Sequence, residues 1–181
     1  MEIYIVEDDI SVINVLEDII ESNGLGTVCG NSGGRPADPA EVARLNPDVV
    51  LVDFLMPEKD GIQFVRELKA AGSTARCIMI SQVSAKDLIG KAYSAGIDFF
   101  ISKPINIIEV KSVIENVERQ IQNERTLSNI RKMFMAEMNE MPKEKQKNDA
   151  YVKKLQLILN RIGMSGEKGC DDIIVSLIHI S

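Results

Sequence analysis

Short apolar runs alternate with amphipathic stretches through the first two thirds of the chain. Ile3-Tyr4-Ile5-Val6, Val49-Val50-Leu51-Val52, Cys77-Ile78-Met79-Ile80 and Ile97-Asp98-Phe99-Phe100-Ile101 are of strand length and largely lack polar alternation. Such runs, rich in β-branched residues, suit strands covered on both faces in a parallel sheet. Thr27-Val28-Cys29 supplies a further strand. Between them, apolar residues at helical spacing predict a helix from Asp9 to about Ser22, with Val12, Val15, Leu16, Ile19 and Ile20 on one face and Asn23-Gly24 as its stop. Two more run from Ile62 to Ala71, presenting Phe64, Val65 and Leu68, and from Ala85 to Ala95, presenting Leu88, Ile89 and Ala92. The segment from Gly30 to Pro39, with a Gly pair and two prolines, leaves room only for a brief helix, about Ala40 to Leu45, and predicts a mobile stretch before it. Strand and helix alternating in this order predict an α/β fold, a right-handed doubly wound sheet of five parallel strands.

The ends of these strands carry the chemistry. Asp53 follows the Val49–Val52 run directly, at the carboxyl edge where open parallel sheets place their sites. The first strand ends in Glu7-Asp8-Asp9, so two neighbouring strands bring several carboxylates to one edge. That much negative charge needs a cation, and hard oxygen ligands in a small cluster suit Mg²⁺. The remaining strands end in Ser81 and in Ser102-Lys103-Pro104, groups that handle phosphate.

A long helical stretch follows. Ile107, Val110, Ile114, Val117 and Ile121 share a stripe that resumes, after an offset near Glu124, at Leu127, Ile130, Phe134, Met138 and Met141, with no Pro or Gly from Ile105 to Met141. A helix so long must bury its stripe, either in a parallel coiled-coil dimer or against the C-terminal helices of the same chain. Pro142 to Asp149 reads as a polar connector and Tyr151 to Ile162 as an amphipathic helix stopped by Gly163.

Residues 1 to about 120 resemble the receiver domain of a two-component response regulator. The resemblance rests on the acidic pair after the first strand, Asp53 after the third, Met56-Pro57 and Gly61 beyond it, Ser81 after the fourth and Lys103-Pro104 after the fifth. It implies a flavodoxin-like sheet of order 2-1-3-4-5 and phosphoryl transfer from a sensor histidine kinase to Asp53. It further implies Mg²⁺ at Glu7, Asp8, Asp53 and the backbone carbonyl of Leu55, Lys103 pairing with the carboxylate and then with the phosphoryl group, and Ser81 and Phe100 as switch residues. Asp8-Asp9 is the alternative register for the acidic pair. Spacing to Asn23-Gly24 favours Glu7-Asp8 and leaves Asp9 to open the first helix. Leu55 and Val83, two residues beyond Asp53 and Ser81, cannot orient water by a side-chain hydrogen bond, which predicts a slowly hydrolysing phosphoaspartate.

Beyond the receiver, residues 121–141 form a coiled-coil extension in this reading and 142–181 a partial, all-α effector domain. The stretch from Ile162 to Ile174, with its Ile-Gly, short loop and Lys-Gly, resembles the opening of the DNA-binding domain in sporulation-type and YcbB-type regulators. The apolar run Ile173 to Ile180 then ends short of a recognition helix, and His179 within it reads as structural. The favoured function is control of transcription; an RNA-binding antiterminator and a pure protein-interaction regulator are the alternatives.

Charge and cysteine usage narrow the partners. Residues 1–122 hold 11 Lys/Arg against 19 Asp/Glu, a net of −8, whereas residues 123–181 hold 10 against 8, a net of +2. The acidic part carries the cation site; the mildly basic part is compatible with DNA in a longer protein. No membrane span or signal pattern opens the chain, which predicts a cytoplasmic protein without a membrane partner. Cys29, Cys77 and Cys170 show no metal-binding spacing; the first two read as buried strand thiols, and no disulfide is expected.

Overall fold

The computed structural model describes residues 1–57, 59–82 and 86–139. Two compact units divide the chain, Met1–Asn123 and Glu124–Ser181.

In the first unit, five parallel strands form one sheet of order β2-β1-β3-β4-β5: β1 Glu2–Val6, β2 Thr27–Asn31, β3 Val49–Asp53, β4 Arg76–Ser81 and β5 Phe99–Ser102. The helices are α1 Ile10–Ser22, α2 Pro39–Leu45, α3 Gly61–Ala70, α4 Lys86–Ala95 and α5 Ile107–Asn139, the last crossing into the second unit. The five parallel strands and the long C-terminal helix are those the run pattern predicts, and the flavodoxin-like strand order is the one the resemblance implies.

β3 is central and all five of its residues are buried, because successive side chains enter two different cores. Val50 and Val52 join Phe64, Val65 and Leu68 of α3, Val42 of α2 and Ala92 of α4. Val49 and Leu51 join Ile13, Leu16 and Ile20 of α1 and Val110, Ile114 and Val117 of α5. Burial of each such aliphatic side chain stabilises the fold by about 1.5–3 kcal/mol, which leaves no room on this strand for a polar residue except at its tip.

Two expectations are corrected. The buried face of α1 is Ile13, Leu16 and Ile20, while Val15 is 45% exposed; seven apolar positions crowd this short helix, and the face is chosen by which of them the sheet covers. Cys29 is exposed, its thiol donating to the Ile3 carbonyl at 3.3 Å, because β2 is an edge strand whose residues are not fully covered. Cys77, central in β4, is buried, and burial pushes its thiol up to about 11.

The Gly30–Pro39 segment continues β2 to Asn31 before the seven-residue α2. Gly34, at φ +72°, lies so close to the first strand's exit that a Cβ would stand 3.2 Å from the Asp8 carbonyl oxygen and 3.0 Å from Ile10. In the second unit, Ile130 and Phe134 are buried, whereas Leu127 is 46% exposed. No helix among the described residues is long and apolar enough to cross a membrane. Val83, Ala85, the side chains of Leu88 and Met138, Met141, and everything proposed for residues 142–181, including Cys170 and His179, lie outside the described residues.

Candidate phosphoacceptor site

Each strand of the site delivers its residue by ending. β3 brings Asp53 to the carboxyl edge, 3% exposed, and its backbone is pinned there: Phe54 N–H donates to the Ile80 carbonyl at 2.9 Å. Gly61 N–H donates to the Phe54 carbonyl at 3.0 Å, bringing α3 so close that a Cβ on Gly61 would collide with the Asp53 carbonyl oxygen. Only glycine permits that approach.

Glu7, 1% exposed, directly follows β1, and the chain then turns into α1. Asp9 is the N-cap of α1, its carboxylate accepting from Ser11 N–H at 2.8 Å. Hydrogen bonds from Ser11, backbone before side chain, hold the Asp9 carboxyl below its ordinary value. The acidic residues whose carboxylates converge with Asp53 are Glu7 and Asp8, while Asp9 serves as the cap of α1.

Carboxylate oxygens of Glu7, Asp8 and Asp53 lie within 4.8 Å of one another. Lys103, from the turn after β5, sits between two of them: its Nζ is 2.8 Å from Asp53 Oδ1 and 2.9 Å from Glu7 Oε2. Its own N–H donates to the Ser81 carbonyl at 2.9 Å, which ties the turn after β5 to the tip of β4. Asp9 N–H donates to the other Glu7 oxygen, Oε1, at 3.3 Å. Ser81 is buried at the tip of β4, and Leu55, just past Asp53, is 61% exposed.

Burial pushes the Glu7 carboxyl above its ordinary range; the hydrogen bond from Lys103 opposes this and the Asp53 charge adds to it. Burial also raises Asp53, again against the Lys103 hydrogen bond. For Lys103, burial favours the neutral amine, but hydrogen bonds to Asp53 and Glu7 outweigh it and hold the ammonium above its usual value. One ammonium cannot offset three converging carboxylates. The donor set, all hard oxygen with an exposed member in Asp8, fits a small divalent cation that keeps part of its water shell.

Phe100 is half-buried at the sheet edge, packed on the core and edge-to-face with the exposed Tyr93, ring centroids 5.4 Å apart at 70°. Tyr93 was not singled out in the sequence, nor was Ser32, whose hydroxyl contacts the Glu7 backbone. Nothing local marks either residue. Asp60 caps α3 by accepting from Gln63 N–H at 2.7 Å.

Comparison with known proteins identifies the family. The family profile of the response regulator receiver domain matches residues 3–115. The transcriptional regulatory protein GlnL of Bacillus subtilis is 34% identical over the whole of this chain, which spans 59% of GlnL. The chemotaxis protein CheY of Bacillus subtilis is 33% identical over 62% of this chain and 92% of its own length. Among solved structures, the CheX–CheY–BeF3–Mg²⁺ complex of Borrelia burgdorferi superposes with a TM-score of 0.57 at 26% identity, covering 65% of this chain and 88% of that one. The chain belongs to the response regulator receiver family, and its first unit is the receiver domain of a two-component response regulator.

Proposed function

We propose that Asp53 accepts a phosphoryl group from the phosphohistidine of a sensor histidine kinase and that the protein thereby controls transcription. The observation carrying this reading is the buried Asp53 carboxylate held by Lys103 inside an acidic cluster. An Asp53 oxygen forms the new O–P bond as the P–N bond to the histidine breaks, and the electron pair of that bond returns to the imidazole. Phosphoryl transfer of this kind passes through a loose transition state, so positioning and charge neutralisation do most of the catalysis. Lys103 supplies a fixed ammonium beside the reacting oxygen and follows the charge onto the phosphoryl group. Glu7, Asp8, Asp53 and the Leu55 carbonyl would hold Mg²⁺, which when bound neutralises charge on the phosphoryl oxygens.

Phosphorylation adds negative charge and acceptor oxygens that a nearby hydroxyl can read. Ser81 donates to one of these oxygens, drawing in the turn after β4, and Phe100 swings inward, giving up its edge contact with Tyr93. The surface of α4, β5 and α5 is altered as a result. The kinship with GlnL supports a transcriptional output through the C-terminal region, with DNA as partner of the full-length protein and dimerisation through α5 or the receiver face. The cytoplasm is the compartment that fits such a partner.

Intact mass after incubation with Mg²⁺ and a small-molecule phosphodonor tests the reading. A Mg²⁺-dependent gain of one phosphoryl group that Asp53→Asn abolishes is expected. A folded wild-type protein that binds Mg²⁺ and gains nothing would overturn it.

A further inference from the structure

The β1–β2 ladder does not stop where its backbone pairing does. Ser32 N–H donates to the Ile5 carbonyl at 2.9 Å, as a strand residue would, and the Ser32 side chain then takes over. Its Oγ accepts from Glu7 N–H at 3.0 Å and donates to the Glu7 carbonyl at 2.6 Å. One hydroxyl thus closes on both backbone polar groups of the residue whose buried carboxylate faces Asp53 and Lys103. Two residues on, the backbone of Gly34 seats against the Asp8 carbonyl and Ile10, a fit that a Cβ would crowd.

We propose that Ser32 is a positioning residue for the cation site: by clamping the Glu7 backbone it fixes the direction of the Glu7 carboxylate and the turn that presents Asp8. The inference rests on the reading that Glu7, Asp8 and Asp53 hold Mg²⁺. Bringing three carboxylates together is electrostatically unfavourable, and a turn left free would relax by swinging the acids apart. The clamp opposes that relaxation before the cation arrives. Supports behind metal ligands commonly alter metal affinity by about 10–100-fold when removed.

The test uses the full chain. Isothermal titration with MgCl2, alongside phosphoryl uptake from acetyl phosphate at increasing Mg²⁺, is compared for wild type, Ser32→Ala and Ser32→Thr. In Ser32→Ala the Mg²⁺ dissociation constant rises roughly tenfold, while the rate of phosphoryl uptake at saturating Mg²⁺ stays near wild type; Ser32→Thr, which keeps the hydroxyl, restores the affinity. A purely structural serine would lower the melting temperature and leave Mg²⁺ affinity of the folded protein unchanged, and that result overturns the proposal. Should Ser32→Ala not fold, the nearly isosteric Ser32→Cys, a weak hydrogen-bonding group, carries the same comparison. Wild type that neither binds Mg²⁺ nor takes up phosphate would defeat the phosphoacceptor reading, and this inference with it. Wild type that does both, beside an unchanged Ser32→Ala, defeats the clamp alone.

Discussion

The Lys103 ammonium lies 2.8 Å from Oδ1 of Asp53 with only 15% of its side chain exposed, so the cation is committed to the site before any phosphoryl group arrives. Its second partner, Glu7 at 2.9 Å, makes it the cation that separates two buried carboxylates. Lys103→Met removes that charge and leaves the carboxylates facing each other. Breaking a buried pair from one side costs about 3–5 kcal/mol; a loss near the lower end is expected in urea denaturation without divalent cations, with partial recovery on adding Mg²⁺. An unchanged denaturation midpoint would mean that the acids are already neutral in the folded protein.

The pH dependence of stability follows from the raised acids. The Asp53 and Glu7 carboxyls lie above their ordinary values of 3.8 and 4.5, burial being the main cause in each. A carboxyl raised on folding binds more proton in the folded state, so its contribution to stability falls as pH rises from the ordinary value through the folded one. Without divalent cations, the stability of Asp53→Asn relative to wild type is therefore expected to increase across that window. Mg²⁺ shrinks the difference. Chemical denaturation at several pH values, with and without the cation, measures both; a difference that narrows with rising pH would contradict the assignment.

Gly61 is expected to tolerate no side chain. Its Cβ would fall on the Asp53 carbonyl oxygen, a backbone atom that cannot rotate away, so either α3 or the phosphoacceptor must shift. Overpacking of this kind costs about 1–3 kcal/mol. Gly61→Ala should lower the melting temperature and slow phosphoryl uptake together. Loss of stability with wild-type uptake would show that α3, and not Asp53, gives way.

Leu55 follows Asp53 by two residues, exposes 61% of its surface and has no side-chain group that could hydrogen-bond an attacking water. The phosphorylated protein is expected to hold its label for many minutes, and Leu55→Asn to shorten that lifetime severalfold by giving water an oriented donor and acceptor. The decay of the phosphorylated mass over time reads both. Loss from wild type within seconds would refute the role given to Leu55.

Much of this molecule is legible along the chain because parallel strands buried on both faces must be apolar throughout and can turn polar only where they end. Val49 to Val52 followed by Asp53, and Cys77 to Ile80 followed by Ser81, announce both the sheet and the edge at which chemistry sits. Gly61 was visible as a glycine, though not as the contact that demands one. Other features have no local cause. In α1, Val12, Ile13, Val15, Leu16, Ile19 and Ile20 offer overlapping apolar faces, and only packing on the sheet buries Ile13 and exposes Val15. Cys29 looks as apolar as Cys77, yet one strand is at the edge of the sheet and the other inside it. The Glu7-Asp8-Asp9 triplet leaves two registers open until the turn into α1 aims Asp9 at Ser11 and Glu7 at Lys103. Ser32 meets Glu7 across 25 residues through the pairing of two strands, a relation set by sheet register and not by any property of serine or its neighbours.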